Sequence, residues 1–172
     1  MSITPTLASA VNDQIAIEFQ SAYQYLAMSA WFTQNNLHGF AHWMQTQWQE
    51  EIMHAMKLYT FLHDRGGEVV LKGLAAPVAA YTSPQHCFEA VLAHEQHVTE
   101  SINALYEKAV AERDLPLQIV LQWFISEQVE EEAQVNEVID RLKLVGTDGP
   151  SIFLVDRELA RRPSTTSTSE QA

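Results

Sequence analysis

The first feature to explain in this sequence is the heptapeptide Trp48-Gln49-Glu50-Glu51-Ile52-Met53-His54, which lies in a run from Phe40 to Arg65 without glycine or proline. Such a run predicts one uninterrupted helix. Glu51 and His54 are three residues apart, so both side chains leave the same helix face about one turn apart and can hold one metal ion. A carboxylate and an imidazole suit iron, manganese or zinc. An isolated Glu-x-x-His is also common on solvated helix faces, so its meaning depends on where the pair points.

Glycine and proline divide the rest of the chain into further helical segments. A fifth, shorter segment is amphipathic, and residues 161–172 are polar enough to predict a disordered tail after one domain covering residues 1–160. The pattern predicts an all-α fold, a bundle of four long helices with a short C-terminal fifth helix. The predicted helices run from about Pro5 to Gln34, Phe40 to Arg65, Pro84 to Glu112, Pro116 to Val145 and Ser151 to Ala160.

The connections predict the topology of the bundle. Only a few residues separate the first helix from the second and the third from the fourth, so each pair should be antiparallel. The connection from Gly66 to Ser83 has 18 residues. At ~3.3 Å per extended residue it can run back along a helix of ~40 Å. A long crossover that leaves the second and third helices parallel is the preferred interpretation, with a floppy surface loop as the alternative.

Composition argues against nucleic acid and anionic membranes as partners and excludes an intrachain disulfide. The chain has 172 residues, 47% hydrophobic content and a formal charge of −12, which favours cations over nucleic acid or an anionic membrane, although plain solubility also explains acidity. Cys87 is the only cysteine, so no intrachain disulfide can form. The sequence shows neither a secretion signal nor an apolar stretch of ~18 residues. These features predict a cytoplasmic protein.

Each long helix has an apolar stripe that is interrupted by glutamate near its middle. Because every acid lies at a similar height, the acids should meet inside the bundle. The predicted stripes are Val11, Ile15, Glu18, Ala22, Tyr25, Ser29 and Phe32; Met44, Gln47, Glu51, His54, Leu58 and Phe61; Phe88, Val91, Glu95, Val98, Ile102 and Leu105; and Leu117, Val120, Phe124, Glu127, Glu131, Gln134 and Val138.

Buried carboxylates need positive charge, and these stripes contain no lysine or arginine. Two metal ions between the helices would supply it, and the alternative is a polar core that arises by chance or holds water. Glu51 would bridge the ions, Glu18 and His54 would complete one, and Glu95 and Glu131 would complete the other. Carboxylate oxygens with one imidazole fit a redox-active iron pair better than a closed structural zinc site.

On these residues the chain resembles the ferritins, and more narrowly the non-haem bacterial type, over residues 1 to about 160. The two-ion arrangement is the one known for ferritin-like di-iron bundles. The resemblance implies that Gln128 lies close to the second iron. It further implies a third iron position formed by Glu50, Glu127, Glu130 and Glu131, although Glu50 and Glu130 also fit ordinary solvated acids.

Departures from neighbouring families narrow the resemblance. A bacterioferritin would repeat Glu-x-x-His in the fourth helix, where this chain has Glu127-Gln128-Val129-Glu130, and would carry a haem-ligating methionine at the place of Ile52. No haem is therefore expected. A lone Cys87 cannot build the additional Cys-x-x-Cys iron domain of a rubrerythrin.

The resemblance implies iron storage with ferroxidase activity, in which O₂ oxidises Fe²⁺ and ferric mineral collects inside a homo-oligomeric cage of about 24 subunits. Tyr25 is either a redox partner of the irons or a core tyrosine that hydrogen-bonds a ligand, and Trp123 either packs or donates an electron. A di-iron peroxidase or oxygenase without a storage role is the alternative function, and a purely structural bundle is a third.

Overall fold

The computed structural model of the protein describes residues 2–163, which contain helices and no strand. Every observed helix end lies within two residues of its prediction, and the all-α bundle is confirmed. Within these residues no helix has both the length and the apolar composition needed to cross a membrane. The helices are α1 (Pro5–Gln34), α2 (His38–Asp64), α3 (Pro84–Ala111), α4 (Leu115–Val145) and α5 (Gly149–Leu159).

Side-chain caps explain where four of the helices begin. The side chains of Thr4, Ser83, Asp114 and Asp148 each accept a hydrogen bond from a backbone N–H in the first turn of the helix that follows. A proline in the first turn of each of these helices supplies a suitable φ angle. The starts of α1, α3, α4 and α5 are therefore encoded locally.

The start of α2 is capped from a distant part of the chain. Its own N-cap residue, Leu37, makes no side-chain hydrogen bond. Instead, Asp156 of α5 accepts hydrogen bonds through Oδ1 from the backbone N–H groups of Gly39 at 2.8 Å and Phe40 at 3.0 Å. A Cβ atom on Gly39 would lie 1.6 Å from the carbonyl oxygen of Asp156, so only glycine permits this approach. Helix α5 thus docks on the N-terminal end of α2.

The connection between α2 and α3 runs along α1 from its beginning towards its end. Near the beginning, Asn12 donates to the carbonyl of Glu68 and accepts from the N–H of Val70. Further along, Gln20 bonds both backbone groups of Ala75, and Gln24 bonds both of Val78. Tyr81 finally contacts Trp31, near the end of α1. This path confirms the crossover and a parallel α2 and α3, and the alternative of a floppy loop is wrong.

The buried stripes agree with the predicted ones in the first three helices, except that Phe61 of α2 is only partly buried. In α4 the predicted series was wrong at three positions. Up to Val138 both series advance by steps of three and four residues, but the observed one lies one residue further along at the three positions. It buries Leu121 in place of Val120, Gln128 in place of Glu127 and Val135 in place of Gln134. The buried residues of α4 are Leu117, Leu121, Phe124, Gln128, Glu131, Val135, Val138, Ile139 and Leu142, instead of Val120, Glu127 and Gln134.

Arg161 and Arg162, the first two residues of the predicted tail, continue from α5 in turns that the structure describes. The backbone N–H of Arg161 donates to the carbonyl of Glu158, and that of Arg162 to the carbonyl of Leu159. The Arg162 side chain packs against the bundle, so the proposed boundary at residue 160 cuts through a contact. Pro163 is exposed, and residues 164–172 of the predicted tail lie outside the described residues.

Candidate metal centre

Five side chains from four helices converge in the middle of the bundle. Potential ligand atoms of Glu18, Glu51 and His54 all lie within 4.8 Å of one another, and so do those of Glu51, Glu95 and Glu131. None of these residues is more than 6% exposed. Glu51 belongs to both groups, so the two groups adjoin and could hold two neighbouring ions.

Neighbouring side chains orient some of the carboxylate oxygens and leave others open. Gln14 donates to Glu18 Oε1 at 2.8 Å. Tyr25 donates its hydroxyl hydrogen to Glu95 Oε1, and Gln128 Nε2 donates to Glu95 Oε2 at 3.2 Å. The buried carboxylate oxygens with no hydrogen-bond partner among the described residues are Glu18 Oε2, both oxygens of Glu51 and Glu131 Oε2.

Burial raises the pKa of three carboxyl groups of the centre, those of Glu18, Glu51 and Glu131. The pKa of Glu18 rises to about 7 because of burial, although the hydrogen bond from Gln14 opposes the rise. The pKa values of Glu51 and Glu131 lie well above the usual value, first because of burial and then because of the neighbouring carboxylates. These three carboxyl groups therefore resist ionisation until positive charge is supplied.

His54 is held in the neutral form that binds metals. Burial, with a smaller contribution from Lys57, lowers its pKa to about 4. Its Nδ1 lies 3.3 Å from Glu51 Oε2, and its Nε2 lies 3.8 Å from Glu131 Oε1. Divalent cations would satisfy the unpartnered oxygens, and the oxygen-rich donor set with one imidazole fits iron.

Comparison with known proteins agrees with this geometry. The sequence profile of the Ferritin family, described as a ferritin-like domain, matches residues 8–145. The chain belongs to the ferritin family. It is 38% identical over 160 residues to the bacterial non-heme ferritin of Bacteroides fragilis (strain 638R), covering 93% of this chain and 99% of that protein. It is 34% identical over 158 residues to the bacterial non-heme ferritin of Escherichia coli O157:H7, covering 92% and 96%.

Solved ferritin structures have the same fold as this chain. An engineered closed form of the Archaeoglobus fulgidus ferritin superposes with a TM-score of 0.94 at 43% identity, covering 95% of this chain and all (100%) of that one. The open pore ferritin of the same archaeon gives a TM-score of 0.92 at 42% identity, covering 94% and 98%. The predicted resemblance to ferritins is confirmed.

The acids predicted to form a third iron position lie beside the centre but do not converge. Within residues 2–163, only the two groups described above bring three or more His, Cys, Asp or Glu side chains together with their ligand atoms within 4.8 Å of one another. Glu50 and Glu127 are half-buried, and Glu130 is exposed. Glu127 does contribute to raising the pKa of Glu50, so these two carboxylates lie near enough to repel each other. The third position in this ferritin stays a prediction.

Sequence reasoning missed two residues around the ferritin centre, Gln14 and Lys57. Gln14 and Gln128 point inward as amides that hold carboxylates, and only Gln128 had been singled out, through the resemblance. Trp123 lies edge-on to the His54 ring, with centroids 5.4 Å apart, and Lys57 Nζ lies 3.9 Å from the centroid of the Trp123 ring. Gln14 precedes Glu18 by one turn, which is a spacing that could have revealed it. The Lys57 contact depends on packing between helices and leaves no local signal.

Proposed function

We propose that this ferritin oxidises Fe²⁺ to Fe³⁺ with O₂ at the centre formed by Glu18, Glu51, His54, Glu95 and Glu131, and that it stores the ferric product. The observation that carries the proposal is the set of buried carboxylate oxygens without a partner among the described residues. An apolar bundle tolerates such oxygens poorly unless cations occupy the space between them. Iron is therefore the substrate of the centre and also the cargo of the protein.

The reaction requires two ferrous ions close together. Each Fe²⁺ gives one electron to O₂, and with two protons from solvent the products are two Fe³⁺ and one H₂O₂. Glu51 belongs to both ligand groups and so sets the separation of the ions. The carboxylate oxygens favour the more highly charged ferric state, which drives the oxidation. Glu18, with a pKa of about 7, releases a proton when a cation binds.

Two further side chains have positioning roles in the proposal. Tyr25 and Gln128 each donate to one oxygen of Glu95, which fixes the orientation of this carboxylate towards the second iron position. Burial and three neighbouring carboxylates raise the pKa of Tyr25, so its phenol keeps its proton at neutral pH. This geometry supports the hydrogen-bonding role of Tyr25 and leaves its redox role untested.

Storage of a ferric mineral requires an enclosed space, and an assembly of several chains can form one. We therefore include in the proposal a homo-oligomeric cage, with about 24 subunits as the family resemblance implies. Phe153 and Leu154 of α5 are exposed in the isolated chain, at 56% and 64%, whereas Val155 and Leu159 pack into the bundle. The expected apolar side of the fifth segment is thus divided, and its exposed half supports a contact between subunits.

Iron loading tests the proposal. The purified protein is titrated with Fe²⁺ in air, and retained iron and particle size are measured against a Glu51→Ala variant. Wild-type protein should oxidise iron rapidly and retain far more than two or three ions per chain in a large soluble particle. Glu51→Ala should lose the fast phase while its helical content is unchanged. Oxidation that stops near two or three ions per chain would instead support the di-iron peroxidase or oxygenase, and no tight binding would leave a structural bundle.

A further inference from the structure

Arg162 places a guanidinium on one of the acids that the proposed third iron position needs. Its Nη2 donates to Glu50 Oε2 at 2.8 Å. Only about a fifth of either side chain is exposed, with 16% for the arginine and 22% for the glutamate. Arg162 follows α5, whereas Glu50 lies in α2 directly before Glu51, so the C-terminal part of the chain reaches the edge of the metal centre.

Several contacts hold the guanidinium in this place. It lies over the ring of Trp43, with Cζ 4.7 Å from the centroid. The backbone carbonyl of Arg162 accepts a hydrogen bond from His42 Nε2 at 2.8 Å. The turns after α5 and the docking of Asp156 on the start of α2 fix the backbone that leads to it. Arg162 is therefore an ordered part of the bundle.

The charge of Arg162 acts on more than Glu50. Burial lowers the pKa of the guanidinium, but Glu50 and Glu131 both oppose this, and arginine stays cationic at neutral pH. Arg162 Nη1 is buried and has no hydrogen-bond partner among residues 2–163. One fixed positive charge thus lies beside two of the four acids assigned to the third position, and one of its N–H-bearing nitrogens is unused.

We propose that Arg162 is the resident counter-cation of the third iron position and that an iron ion binds at Glu50 only when the guanidinium leaves. The inference rests on the proposed function, since it assigns a competitor to a site of that function. While Glu50 Oε2 accepts from Arg162, Glu50 offers fewer lone pairs to a metal, and a guanidinium repels a neighbouring dication. The ion pair with Arg162 also accords with the position of Glu50 outside the two main groups of potential ligands.

The competition is tested by titrating the assembled protein with Fe²⁺ under anaerobic conditions and measuring the heat of binding by calorimetry. We expect the third ion to bind roughly tenfold more tightly to Arg162→Gln than to wild type, because a charged hydrogen bond no longer competes. The affinity of the first two ions should change less, because Arg162 Nη2 bonds Glu50 and not one of the five side chains of the centre. Arg161→Gln is the matched control, since Arg161 is the exposed neighbour, and it should behave as wild type. With Glu50→Gln already present, Arg162→Gln should have no further effect on the third ion.

A second measurement uses the unaltered protein. Hydrogen exchange at the backbone amides of residues 160–162 should speed up as the third equivalent of Fe²⁺ is added and should not respond to the first two. Exchange that stays constant through the third equivalent would overturn the proposal, and so would a third ion that binds Arg162→Gln no more tightly than wild type. Failure of wild type to bind the first two ions would instead refute the proposed function, so the two failures are distinguishable.

Discussion

Glu18→Gln should make the metal-free protein more stable and should reduce the stabilisation that Fe²⁺ binding provides. Glutamine has the shape of glutamate and can still accept the hydrogen bond from Gln14 through its side-chain oxygen. It removes the carboxylate that burial penalises. It also removes one ligand of the group formed with Glu51 and His54.

The expected size of the effect follows from the pKa of Glu18. That pKa lies at about 7 in the folded chain, compared with 4.5 for an ordinary glutamate. Ionising the folded carboxyl group therefore costs up to about 3 kcal/mol more than ionising the unfolded one. For a chain of 172 residues this corresponds to a rise of roughly 6–12 °C in Tm for metal-free Glu18→Gln at pH 8.

The pH dependence has a definite sign. Between pH 4.5 and 7 the unfolded chain releases the Glu18 proton while the folded chain keeps it, so the folded state loses stability as pH rises. Glu51 and Glu131 act in the same direction. His54 acts in the opposite direction between pH 4 and 6.5, because its folded pKa is lowered to about 4. The stability of the metal-free protein should therefore fall from pH 6.5 to 8, where only the carboxyl groups contribute.

Calorimetric melting at pH 5 and pH 8, with chelator and with anaerobic Fe²⁺, measures these effects at one fixed protein concentration. Metal-free Glu18→Gln should exceed wild type by more at pH 8 than at pH 5, and Fe²⁺ should stabilise it less than it stabilises wild type. Glu100→Gln, on an exposed position of α3, is the control and should change neither value. A metal-free Glu18→Gln that melts at or below the wild-type temperature at pH 8 would refute the electrostatic account of the layer.

Three further variants test the parts of the fold that surround the centre. Gly39→Ala should destabilise the protein by at least about 2 kcal/mol, since it removes the cap from Asp156, and hydrogen exchange should show α5 opening first. Asn12→Ala should cost about 1–2 kcal/mol and raise exchange at Val70, because the crossover loses two hydrogen bonds. Tyr25→Phe should keep the fold and slow the first oxidation in stopped-flow absorbance, because Glu95 loses a donor; an unchanged rate would remove the positioning role.

The sequence predicted the helices well because their ends depend on local chemistry. Thr4, Ser83 and Asp148 cap the turns that follow them, and Gly66 and Gly146 end helical runs with positive φ. The Glu-x-x-His spacing likewise follows from helix geometry alone. The buried face of α4 was harder to predict. Two sets of residues with similar spacing both start at Leu117, and only packing against the other helices decides which set is buried.

The contacts that the sequence could not predict join distant parts of the chain. Asp156 caps a helix that begins 118 residues earlier, at His38, and Arg162 pairs with an acid 112 positions away. Asp156 lies in an amphipathic segment where an acid usually faces solvent, and Arg162 lies in a stretch whose polarity suggests disorder. Asp156 is buried and Arg162 is half-buried because α5 packs against α2, and no local sequence pattern predicts that contact.

The position of the acid layer explains how one bundle can be both stable and reactive. One apolar cluster, which includes Phe32, Phe40 and Phe88, lies on one side of the layer, and another, which includes Leu58 and Phe124, lies on the other. These clusters hold the four helices together from both ends, so the middle need not contribute to stability. The unpartnered carboxylate oxygens can therefore persist in a folded chain without metal, and in the proposed function these oxygens would be the ligands that bind iron.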